Sequence, residues 1–158
     1  VAMKRKVIKY GLLWLLPLLF ISCGEQPYYD SAHSFEDKIW QESDTALFEL
    51  DVTDTLQEYD FILTFRNTTD YKYSNIWVKI ATTAPDESTS VIAQRIKLAA
   101  GDGSWLGRTS GTVVENRLHY KTNNFPIKGK YLFKISQAVQ QEVIDEVLDI
   151  SLRIVPKK

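Results

Sequence analysis

From Phe35 onward the chain alternates. Ala46, Phe48, Leu50 and Val52 take every second position, with Leu47, Glu49 and Asp51 between them. The same period recurs in Phe61, Leu63 and Phe65, in Ile76, Val78 and Ile80, and less cleanly in Ile92, Gln94, Ile96 and Leu98. It returns in Val114, Leu118 and Tyr120, in Tyr131, Phe133 and Ile135, and in Leu148, Ile150, Leu152 and Ile154. Successive side chains of a strand point to opposite faces, so each run predicts a strand with one face on a core. Seven strands are expected, with an eighth near Ser104–Leu106. Turn-forming clusters fall between them, at 67–70, 85–88, 101–103, Asn123-Asn124 and Lys128-Gly129. One segment departs from the pattern: Val139, Val143 and Val147 stand four apart within AVQQEVIDEV and predict a short helix before the last strand. The expected fold class is therefore all-β, an antiparallel β-sandwich of jelly-roll type with that one short helix.

The first residues follow another logic. Lys4, Arg5, Lys6 and Lys9 form a basic head before an apolar run from Gly11 to Ile21, interrupted by Pro17 and followed by Ser22 and Cys23. This is the layout of a secretory signal. As a helix the run would reach about 16 Å, against roughly 30 Å of bilayer hydrocarbon, so a permanent span is not expected. Leu19-Phe20-Ile21-Ser22-Cys23 resembles the lipobox of bacterial lipoproteins. That resemblance implies a diacylglyceryl thioether on Cys23, cleavage before it and acylation of the new amine. Several acyl chains on one residue hold a protein stably on a membrane. The expected organisation is a signal peptide over 1–22, a lipidated cysteine and tether over 23–34, and a β-sandwich domain over 35–158.

Composition sharpens this division. The chain has 158 residues, 44% of them hydrophobic, and one cysteine, which excludes a disordered chain and a disulfide-stapled miniprotein. The net charge of −1 averages two unlike parts. Residues 1–22 carry four basic groups and no acid, whereas 23–158 carry 15 basic and 20 acidic groups. An acidic domain without a basic stripe argues against nucleic acid.

Candidate chemistry is sparse. His33 and His119 are far apart and in no metal-ligand spacing, and no nucleophile elbow, phosphate loop or dinucleotide fingerprint occurs. Asp51, Asp54, Glu58 and Asp60 read as a solvated turn rather than a calcium site. No catalytic residue, metal or cofactor is expected. The aromatics are more informative: 16 of the 19 lie in residues 23–158. Tyr73, Asn75 and Trp77 share the strand face opposite Ile76, Val78 and Ile80, so they point outward, either under a loop or on a binding surface. Trp105 lies in a segment, 99–111, that holds four of the seven glycines; it reads as a plug over the sandwich end, with a sugar-stacking platform as the alternative.

Ordered motifs then point to a family. Phe35-x4-Trp40, Phe65-Arg66-Asn67, Tyr71-x-Tyr73-x-Asn75-x-Trp77 and Gly103-x-Trp105-x-Gly107 follow one another. Pro126-x-x-Gly129-x-Tyr131-x-Phe133 and a closing Asp149-x-Ser151-Leu152-Arg153-Ile154 complete the series. With the lipobox, the chain resembles the gliding-motility lipoprotein GldH family of the Bacteroidetes. The resemblance implies a non-catalytic lipoprotein of the cell envelope. The partners it implies are the membrane and envelope proteins of the gliding and secretion machinery. Gly24-Glu25-Gln26-Pro27 holds a single acid where surface export of such lipoproteins calls for an acidic stretch, so an outer-membrane anchor facing the periplasm is expected. The alternative, read from aromatics on a lipid-anchored jelly roll rather than from the family, is a carbohydrate-binding lipoprotein of a glycan-capture system.

Overall fold

The computed structural model describes residues 26–158. Their strands are β1 (Tyr29–Ser34), β2 (Ile39–Gln41), β3 (Ala46–Val52), β4 (Glu58–Thr68), β5 (Asn75–Thr83) and β6 (Thr89–Lys97). After them come β7 (Arg108–Ser110), β8 (Val113–Asn124), β9 (Gly129–Gln137), β10 (Val143–Asp145) and β11 (Val147–Pro156). They form a five-stranded sheet in the order β1-β11-β4-β8-β7, a four-stranded sheet β3-β9-β5-β6, and a small pair β10-β2. Every pairing is antiparallel.

The alternating runs turn their apolar members into one shared interior. Phe48, Phe61, Leu63, Phe65, Ile80 and Phe133 are each at most 1% exposed. Phe61 of the larger sheet lies 6.1 Å from Phe133 of the smaller, ring centre to ring centre, so the two sheets bury their inner faces against each other. Trp40 closes one end of this core. It stacks on Phe35 at 4.6 Å and satisfies its buried indole by donating to the Asp44 carbonyl at 2.8 Å.

Four expectations change on contact with the structure. The helix expected over 139–147 is absent; the helical element among the described residues is a short 3-10 turn at Glu36–Lys38. Instead Val143–Asp145 forms β10, whose Ile144 is buried opposite Trp40 of β2. Glu146, with φ at 66°, then turns the chain into β11. A waiting partner strand satisfies the backbone of this β-branched segment, which overrides its helical spacing. Second, β1 lies within the stretch expected as tether; its small polar residues hid a strand that pairs along β11 from Tyr29↔Ile154 to Ser34↔Asp149. Third, Ser104–Leu106 supplies only an isolated bridge between Ala99 and Trp105. Fourth, Ile92 is 41% exposed although it was expected on the inner face, because β6 is the last strand of its sheet. Cys23 and the expected signal lie outside the described residues. Among the described residues no helix is long and apolar enough to cross a membrane.

The strand directions give the sandwich two distinct ends. Tyr28 fixes where the described chain enters: its N–H donates to Ile154 O at 2.9 Å, its hydroxyl donates to Asp51 O at 2.9 Å, and its ring meets Tyr59 at 4.9 Å. This entry end carries the turns β3–β4, β5–β6 and β8–β9. There Gly129, at φ +126°, comes against Pro85 so closely that a Cβ would stand 3.1 Å from its ring. The far end carries the connections 35–45, 69–74, 98–107 and 138–146.

Candidate functional site

The far end is built from segments with an unlike charge balance. Those four connections together hold nine acidic residues and two lysines. Between 69–74 and 138–146 lies a groove of about 190 Å³, walled by Tyr71, Tyr73 and Asn75 on one side and by Val139, Gln141 and Ile144 on the other. Its floor is rigid. Tyr71 is buried and meets Phe65 edge-on at 5.9 Å, and Tyr73 meets Tyr71 at 5.6 Å with the rings 71° apart. Burial pushes the Tyr71 hydroxyl well above the usual phenol range. Tyr73 is 48% exposed and presents its ring at the rim.

Of the residues singled out in the sequence, Tyr73 and Asn75 meet in this groove. Trp77 stands beside it on the outer face of β5, 42% exposed, with its carbonyl accepting from Ala138 N at 2.9 Å. Trp105 is elsewhere: half-buried against the core and bridged to Ala99. Its loop is fastened. Asp102 accepts from Ser104 N at 3.0 Å and Ser104 Oγ at 2.6 Å, which hold its carboxyl below the usual range. Gly107 lets the loop close on β8, since a Cβ there would lie 2.5 Å from Glu115 O and from Asn116 Oδ1. Trp105 therefore packs on the core, held by a fastened loop.

Val139, Gln141 and Ile144 are not singled out as site residues by the sequence, Val139 entering only through the helical spacing. Nothing local marks them, because they reach the tyrosines only when the β9–β11 connection folds back over the sandwich end. A second concavity, of about 400 Å³, is likewise not singled out by the sequence. This one lies on the outer face of the five-stranded sheet. Asp149, Arg66, Glu115 and Arg108 stand in one cross-strand row on β11, β4, β8 and β7. Arg66 grips the buried Asp149 with a two-pronged fork, Nε at 2.9 Å and Nη2 at 2.5 Å, which raises the Arg66 pKa. Glu115 pairs with Arg117 at 2.9 Å and Asp30 with Arg153 at 3.0 Å.

Among the described residues no group of three or more His, Cys, Asp and Glu side chains converges as a metal site. His33 binds Asp44 and His119 binds Asp60, each at 3.0 Å. The carboxylates at the β3–β4 turn are engaged separately: Asp54 accepts Leu56 N at 2.8 Å, and Glu58 meets Lys157 at 3.1 Å. Asp60 accepts from Thr122 at 2.5 Å, and that bond and His119 lower its pKa. The arrangement offers surfaces for contact, among them a groove of aromatic, aliphatic and amide side chains at the far end.

A family model described as GldH lipoprotein matches residues 27–154. A gliding motility lipoprotein GldH homolog of Christiangramia forsetii is 30% identical over 145 residues, covering 87% of this chain and 88% of that protein. The gliding motility lipoprotein GldH of Flavobacterium johnsoniae is 27% identical over 154 residues, covering 93% and 96%. Among solved structures, the crystal structure of Aeromonas hydrophila PliG, a periplasmic lysozyme inhibitor of g-type lysozyme, aligns at a TM-score of 0.37 with 14% identity, covering 86% of this chain and 90% of that one. A protein of Sulfurospirillum deleyianum aligns at 0.39 with 13% identity, covering 82% and 98%.

Proposed function

The chain belongs to the GldH lipoprotein family, and from that premise we propose that it is a lipid-anchored, non-catalytic component of the gliding-motility machinery or its linked secretion system. It acts by protein–protein contact from the periplasmic face of the outer membrane. Cys23 is the lipidated residue, residues 1–22 are removed, and the stretch from Cys23 to Tyr29 holds the sandwich within about 20 Å of the bilayer. One observation carries the reading: the tyrosine groove opens at the end of the sandwich opposite Tyr28, where the tether enters. A partner in the periplasm would thus meet the groove first, and the excess of acidic residues in the connections of that end favours a basic partner segment.

The strand orders support a jelly-roll reading of the sandwich. Without the three-residue strands β2, β7 and β10, the sheets read β1-β11-β4-β8 and β3-β9-β5-β6. Consecutive strands then cross between sheets, except at the β5–β6 hairpin. Such a frame holds both ends apart and lets loops at the far end carry recognition.

The test is affinity purification of the lipidated protein from its own membranes, comparing wild type with Tyr73→Ala and with Cys23→Ala. We expect Cys23→Ala to move the protein into the soluble fraction, and Tyr73→Ala to stay on the membrane and lose specific partners. Partners retained in full by Tyr73→Ala would overturn the groove as the docking site. Saturable quenching of tryptophan fluorescence by a polysaccharide would count against a purely protein-binding role.

A further inference from the structure

We propose that β6 is a strand-addition site that takes an extended protein segment in which acidic and apolar residues alternate. This goes beyond the groove at the far end and does not depend on it. β6 is the outermost strand of the four-stranded sheet, paired to β5 without a register break from Asn75↔Lys97 to Thr83↔Thr89. Ala138 N donates to Trp77 O, so the backbone groups of Trp77 face β9. Its partner Arg95 therefore sits in a non-hydrogen-bonded pair, and its own N–H and C=O face out of the sheet. The same alternation turns the backbone of Val91 and Ala93 outward. Gln94 Nε2 donates to Arg95 O at 3.0 Å, a side chain standing in for one absent strand partner.

Side chains along β6 are as incomplete as its backbone. Thr89 to Ala93 are all exposed, and the strand has neither a proline nor a bulge to blunt it. Ile80 of β5 is 1% exposed, while Ile92 directly opposite is 41% exposed because no strand lies beyond it. An added strand would cover Ile92 with an apolar side chain on its inner face and leave its outer face beside Arg95 and Lys97.

The charge on that outer face selects the occupant. β9, β5 and β6 carry Lys79, Arg95, Lys97, Lys130 and Lys134 and no acid; the acids of this face, Glu49 and Asp51, lie on β3 at the opposite edge of the sheet. Among the described residues only Lys130 of these has a carboxylate partner, Glu49 at 3.4 Å. A second copy of β6 would bring the same cations to the same edge. An acidic strand would instead neutralise them, with main-chain bonds for affinity and alternate side chains for specificity.

The experiment uses the full lipidated chain in detergent micelles. The probes are two peptides of about ten residues, one alternating glutamate with valine and one lysine with valine. The readout is amide hydrogen exchange. The glutamate peptide is expected to slow exchange at Val91, Ala93 and Arg95 by ~10-fold or more, and the lysine peptide to leave it unchanged. Ala93→Pro removes an outward N–H without touching the β5 pairing and should abolish the protection. Arg95→Glu combined with Lys97→Glu should reverse the peptide preference, which tests the proposal even if the proline variant does not fold. Tyr73→Ala should leave peptide binding unchanged, separating this edge from the groove. Equal protection by both peptides, or protection confined to β1 or β3, overturns the proposal. So does peptide-free protection of β6 that vanishes on dilution, since a second copy would then occupy the edge.

Discussion

The two outer sheet faces answer the same problem in opposite ways. On the five-stranded sheet, charges alternate across neighbouring strands, and Arg66, Arg117 and Arg153 each meet a carboxylate within 3.0 Å. On the four-stranded sheet the cations of β9, β5 and β6 stand together, with the acids Glu49 and Asp51 confined to β3, and the exposed apolar side chains of Leu47, Trp77 and Val91 lie on the same face. The first face is satisfied internally and presents little unpaired charge to a partner. Among the described residues the second leaves Lys79, Arg95, Lys97 and Lys134 without a carboxylate partner and its apolar side chains uncovered, which is where the proposed contacts lie. The difference places the interaction potential of this domain on the smaller sheet and the far end rather than on the larger charged groove, although that groove has the greater volume.

The largest effect that separates the two sides of β11 comes from its inner face. Ile150 is 0% exposed, and Ile150→Ala should cost about 2–5 kcal/mol by chemical denaturation. A negligible loss would mean that the inner face of the strand is wrongly assigned. One residue away, Asp149→Ala tests the paired outer face. It strands Arg66 and should cost about 2 kcal/mol, less than a fully buried pair because Arg66 is 44% exposed to solvent. Adding Arg66→Ala should return part of that loss, and no recovery would indicate that the fork is not a coupled pair.

Smaller effects sharpen the comparison further. Glu115→Ala, which removes a more exposed partner from the same row, should cost under about 1 kcal/mol. On the opposite face, Lys134→Ala should change the unfolding midpoint by no more than the equivalent of about 0.5 kcal/mol. A large loss there would reveal a hidden structural role for the cationic face. The smallest effect is a titration. The folded Asp60 pKa is depressed by its bond from Thr122 and by His119, so its stabilisation is present above the unfolded pKa and fades as pH falls through the folded one. Carboxyl NMR should place the Asp60 midpoint below the usual carboxylate value, and Thr122→Val should move it upward. An unmoved midpoint would exclude Thr122 as the main cause.

Much of the fold is legible in the chain because its signal is local. Ala46–Val52, Phe61–Phe65, Ile76–Ile80 and Tyr131–Ile135 face inward as alternation demands. The short strands β2, β7 and β10 are illegible because three residues cannot display a period and each depends on a single partner. β1 is hidden for another reason: an edge strand of polar residues, YDSAHS, buries too little to need apolar alternation. The candidate site was half visible. The outward Tyr73 and Asn75 follow from the face opposite Ile76, but the groove also needs Val139, Gln141 and Ile144 from a segment whose spacing suggested a helix.

What the chain determines by itself is therefore the face on which a side chain falls. Period two is a property of the extended backbone, and it requires no knowledge of neighbours. Whether that face meets a partner is decided only by strand order and register. Arg66 and Asp149 are 83 residues apart and become a fork because β4 pairs with β11 in one particular alignment. Ile92 carries the same apolar signal as Ile80, yet only the position of β6 at the rim leaves it open. Pairing between distant strands is a global balance of loop closure and packing, and no local pattern encodes which strand will be last.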